Sequence, residues 1–141
     1  MPEVIFRFGP EPVDAERLYA LLRDTYWAGD RSLAQVQRAL RTSFCISAWD
    51  DSQMVGFARL ITDFATHAYL CDVVVDPACR QNGIGRGMVR RLTAHEAVAT
   101  CHVHLHTRDA HGVYRALGFN ERPGFGMWKS RRRAWPVAGA C

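Results

Sequence analysis

Lysine is nearly missing from this chain: Lys129 is the only one, so the formal charge of +4 over 141 residues rests on arginine. A positive balance carried by guanidinium groups suits an anionic ligand, and it is equally a mark of nucleic-acid contact. Also lacking is any run approaching the roughly 18 apolar residues of a membrane span, and residues 1–12 hold no apolar core of a secretory leader. No membrane partner and a cytoplasmic location are the expectations. The five cysteines (Cys45, Cys71, Cys79, Cys101 and Cys141) are odd in number and contain no Cys-x-x-Cys pair, which argues against both a disulfide framework and a zinc ribbon. Cys45, Cys71 and Cys101 stand in apolar runs and read as reduced, buried small hydrophobes.

What is present suits one globular domain over residues 1–130, followed by a basic tail over residues 131–141. Arg131-Arg132-Arg133 with Trp135-Pro136 is the piece most like a nucleic-acid contact, but it lacks periodicity and reads as a solvated tail. No nucleic-acid partner is expected. Trp128 and Trp135 are candidates for a homodimer contact.

The patterning predicts a strand over residues 6–8 and a helix over residues 14–24 with Asp14 as its cap and Leu18, Leu21 and Leu22 on one face. A second helix starts at Ser32, with Leu33, Val36 and Leu40 at helical spacing. Residues 43–49 and 54–61 read as a hairpin, and residues 68–75 as a third strand beside it. A helix over residues 85–99, a strand over 102–107, a helix over 110–117 and a final strand within 125–129 complete the reading. The fold class is α+β: a mixed, mostly antiparallel twisted sheet flanked by helices, with one parallel crossover.

Between the third strand and the long helix lies Arg80-Gln81-Asn82-Gly83-Ile84-Gly85-Arg86-Gly87. Alternating glycines let successive N–H groups turn toward one point, and a helix start adds partial positive charge there, so the segment suits a phosphate. A dinucleotide fingerprint needs a third glycine where Met88 stands, and a P-loop needs Gly-Lys-Ser/Thr. The segment is neither.

The pattern Arg/Gln-x-x-Gly-x-Gly/Ala, here Arg80 to Gly85, resembles the acyl-coenzyme A (CoA) pyrophosphate loop of the Gcn5-related N-acetyltransferase (GNAT) superfamily. Tyr114-Arg115-Ala116-Leu117-Gly118-Phe119 is a second segment similar to that family. Residues 60–63 and 107–114 look similar to a bacterial branch of small, stand-alone members. The resemblance implies a GNAT-type acyl-CoA N-acyltransferase fold and transfer of an acetyl group from acetyl-CoA, the cosubstrate, to a primary amine. The acceptor would be a small molecule or a protein, attacking directly in a ternary complex. The alternative is a non-catalytic acyl-CoA-binding module.

On this resemblance, backbone N–H groups of Gln81, Asn82, Gly83, Ile84, Gly85 and Arg86 face the pyrophosphate, and Arg80 and Arg86 add charge. The pantetheine arm runs along the strand ending at Val75, and the N–H of Val73 is the candidate donor to the thioester oxygen. Tyr114 matches the tyrosine that serves as general acid for the departing thiolate; a phenol of ordinary pKa about 10 is protonated at neutral pH. Asp109 stands near an asparagine that contacts the pantetheine arm in many relatives, and it also reads as a cap for the helix over residues 110–117.

Asp72 interrupts an apolar run and therefore needs a partner or a function. A hydrogen bond to loop backbone and service as the catalytic base are its two readings. His67, His106 and His111 are the other candidate bases, and a glutamate that some relatives carry is replaced here by Cys71. His102, His104 and His106 share one face of a strand, as metal ligands would, but no carboxylate or cysteine stands at a ligand-like spacing. No metal is expected.

Overall fold

A computed structural model describes residues 3–135. The chain forms two compact units, the first ending at His106 and the second beginning at Thr107.

The first unit carries β1 (Val4–Phe8), α1 (Ala15–Arg23), α2 (Leu33–Arg41), β2 (Phe44–Asp50), β3 (Gln53–Thr62), β4 (His67–Val75), α3 (Ile84–Thr93) and β5 (His102–His104). The strands form one sheet in the order β1-β2-β3-β4-β5. The first three pairings are antiparallel and β4–β5 is parallel, as the α3 crossover requires. The α+β sheet flanked by helices is thus the one expected from the sequence.

Both early helices are capped as their sequences demand: Asp14 accepts from the Arg17 N–H at 3.0 Å and Ser32 from that of Gln35 at 3.1 Å. Together α1 and α2 bury Leu18, Leu22, Val36 and Leu40 against Phe57 and Val74 of the sheet. The opposite face is covered by α3, and a glycine sets how closely. A Cβ at Gly56 of β3 would lie 3.0 Å from Met88 Cε and 3.2 Å from Ile84 Cγ2. Met88 stands where a dinucleotide fold needs its third glycine; here the glycine is on the strand and the fully buried methionine fills the gap.

The helix expected over residues 85–99 stops at Thr93. His95 takes an extended backbone, and its Nδ1 accepts from the Ala97 N–H at 3.0 Å to start a short 3₁₀ turn, Glu96–Val98. Its ring packs against both Phe8 and Phe44, with centroids 4.8 Å apart in each case. The side chain competes with helix continuation twice over, by capping and by packing.

The second unit contains α4 (His111–Ala116) and no strand among its described residues. The strand expected within residues 125–129 is not formed. Phe125, Met127 and Trp128 are strongly exposed, Gly124 turns the backbone left-handed at φ +82°, and the Phe125 N–H bonds only back to Arg122. Residues 136–141 of the expected tail lie outside the described residues.

Candidate functional site

The loop before α3 is held by its own side chains and by Arg17 of α1. Asp76 accepts from the Ala78 N–H at 2.9 Å and pairs with Arg17, whose Nε donates to the Met54 carbonyl at 3.0 Å. Asn82 Nδ2 donates to the Cys79 and Arg80 carbonyls, at 3.0 and 3.3 Å. Gln81 and Gly83 both take left-handed backbone, φ +67° and +76°. Gly83 caps α3 with no side-chain acceptor, and the first backbone bond of the helix runs from the Gly87 N–H to the Gly83 carbonyl. The N–H groups of Ile84, Gly85 and Arg86 therefore have no partner within the helix, a concentration of donors suited to an anion. Arg80 and Arg86 are exposed beside them, and Arg80 Nε reaches the Val75 carbonyl at 3.3 Å.

A second opening adjoins the loop. β5 pairs only with His67, Ala68 and Tyr69 of β4, whereas β4 continues to Val75. Residues 70–75 consequently present an edge with no strand beside it among the described residues. The Asp76 N–H bonds across to Val55 of β3 at 2.8 Å. Alternation along a strand then turns the N–H groups of Val75 and Val73 to the open side. An extended ligand can add to such an edge as a further strand.

Asp72 sits at the root of this edge, buried, with φ +53°. The sequence offered it as a base or as a hydrogen-bond partner of loop backbone; it is engaged instead by side chains. Its Oδ2 accepts from Arg59 Nε at 2.6 Å and Arg31 Nη1 at 2.5 Å, and its Oδ1 from Trp27 Nε1 at 3.2 Å. Burial pushes the carboxyl pKa up, but the two guanidiniums outweigh it and hold the group below the ordinary carboxylate range. Such a carboxylate has little affinity for a proton, which argues against service as a base. Arg59 Nη1 continues the network to Ser43 Oγ at 3.0 Å. Neither arginine nor the indole was singled out from the sequence as Asp72's partner, although a lone arginine in one apolar strand beside a lone aspartate in the next is a legible signal.

The same face continues into imidazoles. His67 lies 5.5 Å from His102 and 6.0 Å from His104 between ring centroids, and Tyr69 stacks on His104 at 5.3 Å. His106 Nδ1 and the Tyr69 hydroxyl are 3.2 Å apart. Burial, with His67 and His106 nearby, lowers the His104 pKa and favours its neutral ring. No group of three or more metal-ligating side chains comes together among the described residues. Cys45 and Cys71 are buried or half-buried thiols, pushed up to about 12 and about 11 chiefly by burial, and so are protonated at neutral pH.

In the second unit, Tyr114 is half-buried on α4. The helix closes with Gly118 at φ +94°, the Gly118 N–H bonding to Arg115 and the Phe119 N–H to Tyr114. This left-handed closure returns Phe119 to Tyr114, ring edge on face at 5.7 Å. The spacing of Tyr114, Gly118 and Phe119 thus has a mechanical reason. Asp109 does not cap the helix as expected: Thr107 Oγ1 accepts from the Ala110 N–H at 3.0 Å, and Asp109 is exposed with Arg108 beside it.

Residues 15–119 match the acetyltransferase (GNAT) family. The chain belongs to that family. A solved structure of a putative GNAT-family acetyltransferase from Xanthomonas campestris pv. campestris is 36% identical, with a TM-score of 0.87 and coverage of 93% of this chain and 95% of that one. Serotonin N-acetyltransferase 2, chloroplastic, from Oryza sativa subsp. japonica is 31% identical over an alignment of 115 residues that covers 73% of this chain and 57% of the rice protein. The chain spans about half the length of the curated relatives it matches. A predicted acetyltransferase from Clostridium acetobutylicum, solved with acetyl-CoA, shares the fold at 18% identity and a TM-score of 0.67, covering 90% of this chain and 96% of that one. The family accounts for the GNAT-type fold and for acyl transfer as the general chemistry. No helix among the described residues is long and apolar enough to cross a membrane.

Proposed function

We propose that this GNAT member is an acetyl-CoA-dependent N-acetyltransferase that acts on a primary amine of a small molecule or a protein. The observation that carries the reading is the adjacency of two sets of backbone donors that no helix turn or strand among the described residues pairs: the N–H groups at the start of α3 and the edge of β4 beyond Tyr69. Pyrophosphate suits the first and an amide-bearing pantetheine arm suits the second. The Clostridium neighbour holds acetyl-CoA, and the rice relative is an N-acetyltransferase.

In this reading Gln81 through Arg86 bind the pyrophosphate, with Arg80 and Arg86 adding charge. Val73 and Val75 pair with the arm, and Asp109 is a further contact to it. The acceptor nitrogen attacks the thioester carbonyl carbon, the carbon–sulfur bond breaks, and the oxyanion formed on the way is held by the Val73 N–H. Removing a donor of this kind typically costs about 3 kcal/mol of transition-state stabilisation. Tyr114 gives its phenolic proton to the departing thiolate. The proton lost by the amine goes to the imidazole row, where His106 beside the Tyr69 hydroxyl is the candidate acceptor, rather than to Asp72.

Thiol release from acetyl-CoA, measured against polyamines, amino acids, aminoglycosides and basic peptides, tests the proposal. Release with at least one amine is expected. Binding of acetyl-CoA with no release across the panel would leave a non-catalytic acyl-CoA-binding module in its place.

A further inference from the structure

Asp72 combines three features. Its φ of +53° lies where a residue other than glycine is uncommon and strained. It stands in a register break: Phe57 faces Val74 and Arg59 faces Cys71, so Ala58 on β3 is set against both Asp72 and Val73 on β4. This is a β-bulge, a device that re-aims a strand. Finally, its side chain is only 2% exposed and accepts from three directed donors.

Those donors come from two places. Arg59 belongs to β3, the neighbouring strand, and its side chain is 11% exposed. Arg31 and Trp27 belong to the connection between α1 and α2, where Trp27 is 41% exposed and packs edge-on against Tyr26. Backbone strain persists where surroundings over-determine it, and two guanidiniums and an indole on one carboxylate do so. The residue after the strained one is Val73, whose N–H faces the open edge.

We propose that Asp72 is a positioning residue: clamped by Arg59, Arg31 and Trp27, it holds the left-handed bulge that turns the Val73 N–H toward the thioester carbonyl of a bound acyl-CoA. The inference rests on the acyl-CoA reading above. Because two of the clamping groups lie on the connection between α1 and α2, displacement of that connection is felt at Val73 through one carboxylate.

The test uses acetyl-CoA labelled with ¹³C at the thioester carbonyl, isotope-edited infrared spectra of the complex, and calorimetry for affinity. The parent protein is expected to move the carbonyl band below that of free acetyl-CoA, as a hydrogen bond to the oxygen does. Asp72→Gly accepts left-handed backbone without a side chain and should keep most of that shift. Asp72→Ala should lose most of it, with affinity for acetyl-CoA within about threefold of the parent, because the loop and most of the edge are untouched. The double variant Arg31→Met, Trp27→Phe strips both donors from the helix connection, leaves Arg59 in place, and should lose a substantial part of the shift; its partly exposed sites keep the test alive if Asp72→Ala does not fold. Retention of the parent band by the folded double variant overturns the proposal, as does equal loss in the glycine and alanine variants. Failure of the parent to bind acetyl-CoA overturns the acyl-CoA reading itself, and this proposal with it.

Discussion

Arg59 and Asp72 meet between neighbouring strands, Nε to Oδ2 2.6 Å, and both side chains are almost wholly removed from water. Cutting one partner out of a buried pair leaves the other charge uncompensated. Asp72→Asn should therefore cost about 3 kcal/mol of stability at neutral pH, measured by urea denaturation.

The same pair fixes a pH dependence. Asp72's carboxyl is held below its unfolded value, so between the folded value and about 4 the unfolded chain binds more protons. The stabilisation is complete above that window and is lost as pH falls through it. The stability gap between the parent and Asp72→Asn should narrow steadily below about pH 4. A gap that stays constant into that range contradicts the assignment.

Two glycines of the loop separate fold from ligand. At Gly85 a Cβ would make ordinary contact with Val75 Cγ2 at 3.7 Å, so Gly85→Ala should change stability by less than about 0.5 kcal/mol. If that space belongs to a pyrophosphate, acetyl-CoA affinity should drop roughly tenfold in a calorimetric titration. At Gly83 nothing lies within 4 Å, but φ is +76°, and Gly83→Ala should cost about 1 kcal/mol in the unliganded protein.

Gly56 and Met88 form one contact and should behave as one. The alanine Cβ of Gly56→Ala meets the flexible end of Met88 at 3.0 Å, and a loss of about 1 kcal/mol is expected. Shortening the partner in Gly56→Ala, Met88→Ala should make the two changes non-additive by at least about 0.5 kcal/mol in a double-mutant cycle. Simple additivity would mean that the helix is spaced by something else.

Tyr114→Phe keeps the ring that meets Phe119 and removes only the hydroxyl. In the folded variant kcat with an accepted amine should fall on the order of 100-fold. Unchanged turnover would remove the general-acid assignment.

Much of this was legible in the sequence because it is local. Helix caps at Asp14 and Ser32, the hairpin, and the strand, glycine loop and helix around Gly83 each depend on a few adjacent residues. What was not legible depends on partners far along the chain. Asp72 announced a need by its place in an apolar run, but its donors arrive from positions 27, 31 and 59. His95 ends α3 through two phenylalanines on other strands, and α4 starts from Ala110 with no side-chain cap, the role that composition gave to Asp109. The strand expected within residues 125–129 had suitable residue types, yet a strand exists only where another backbone pairs with it.

The central claim is that acetyl-CoA lies along the open edge of β4 and against the start of α3. Amide hydrogen exchange, resolved residue by residue with and without saturating acetyl-CoA, tests this most directly. Protection of Val73, Val75 and residues 83–86 is the predicted result. Saturable binding that leaves all of these amides exchanging at their unliganded rates would contradict it.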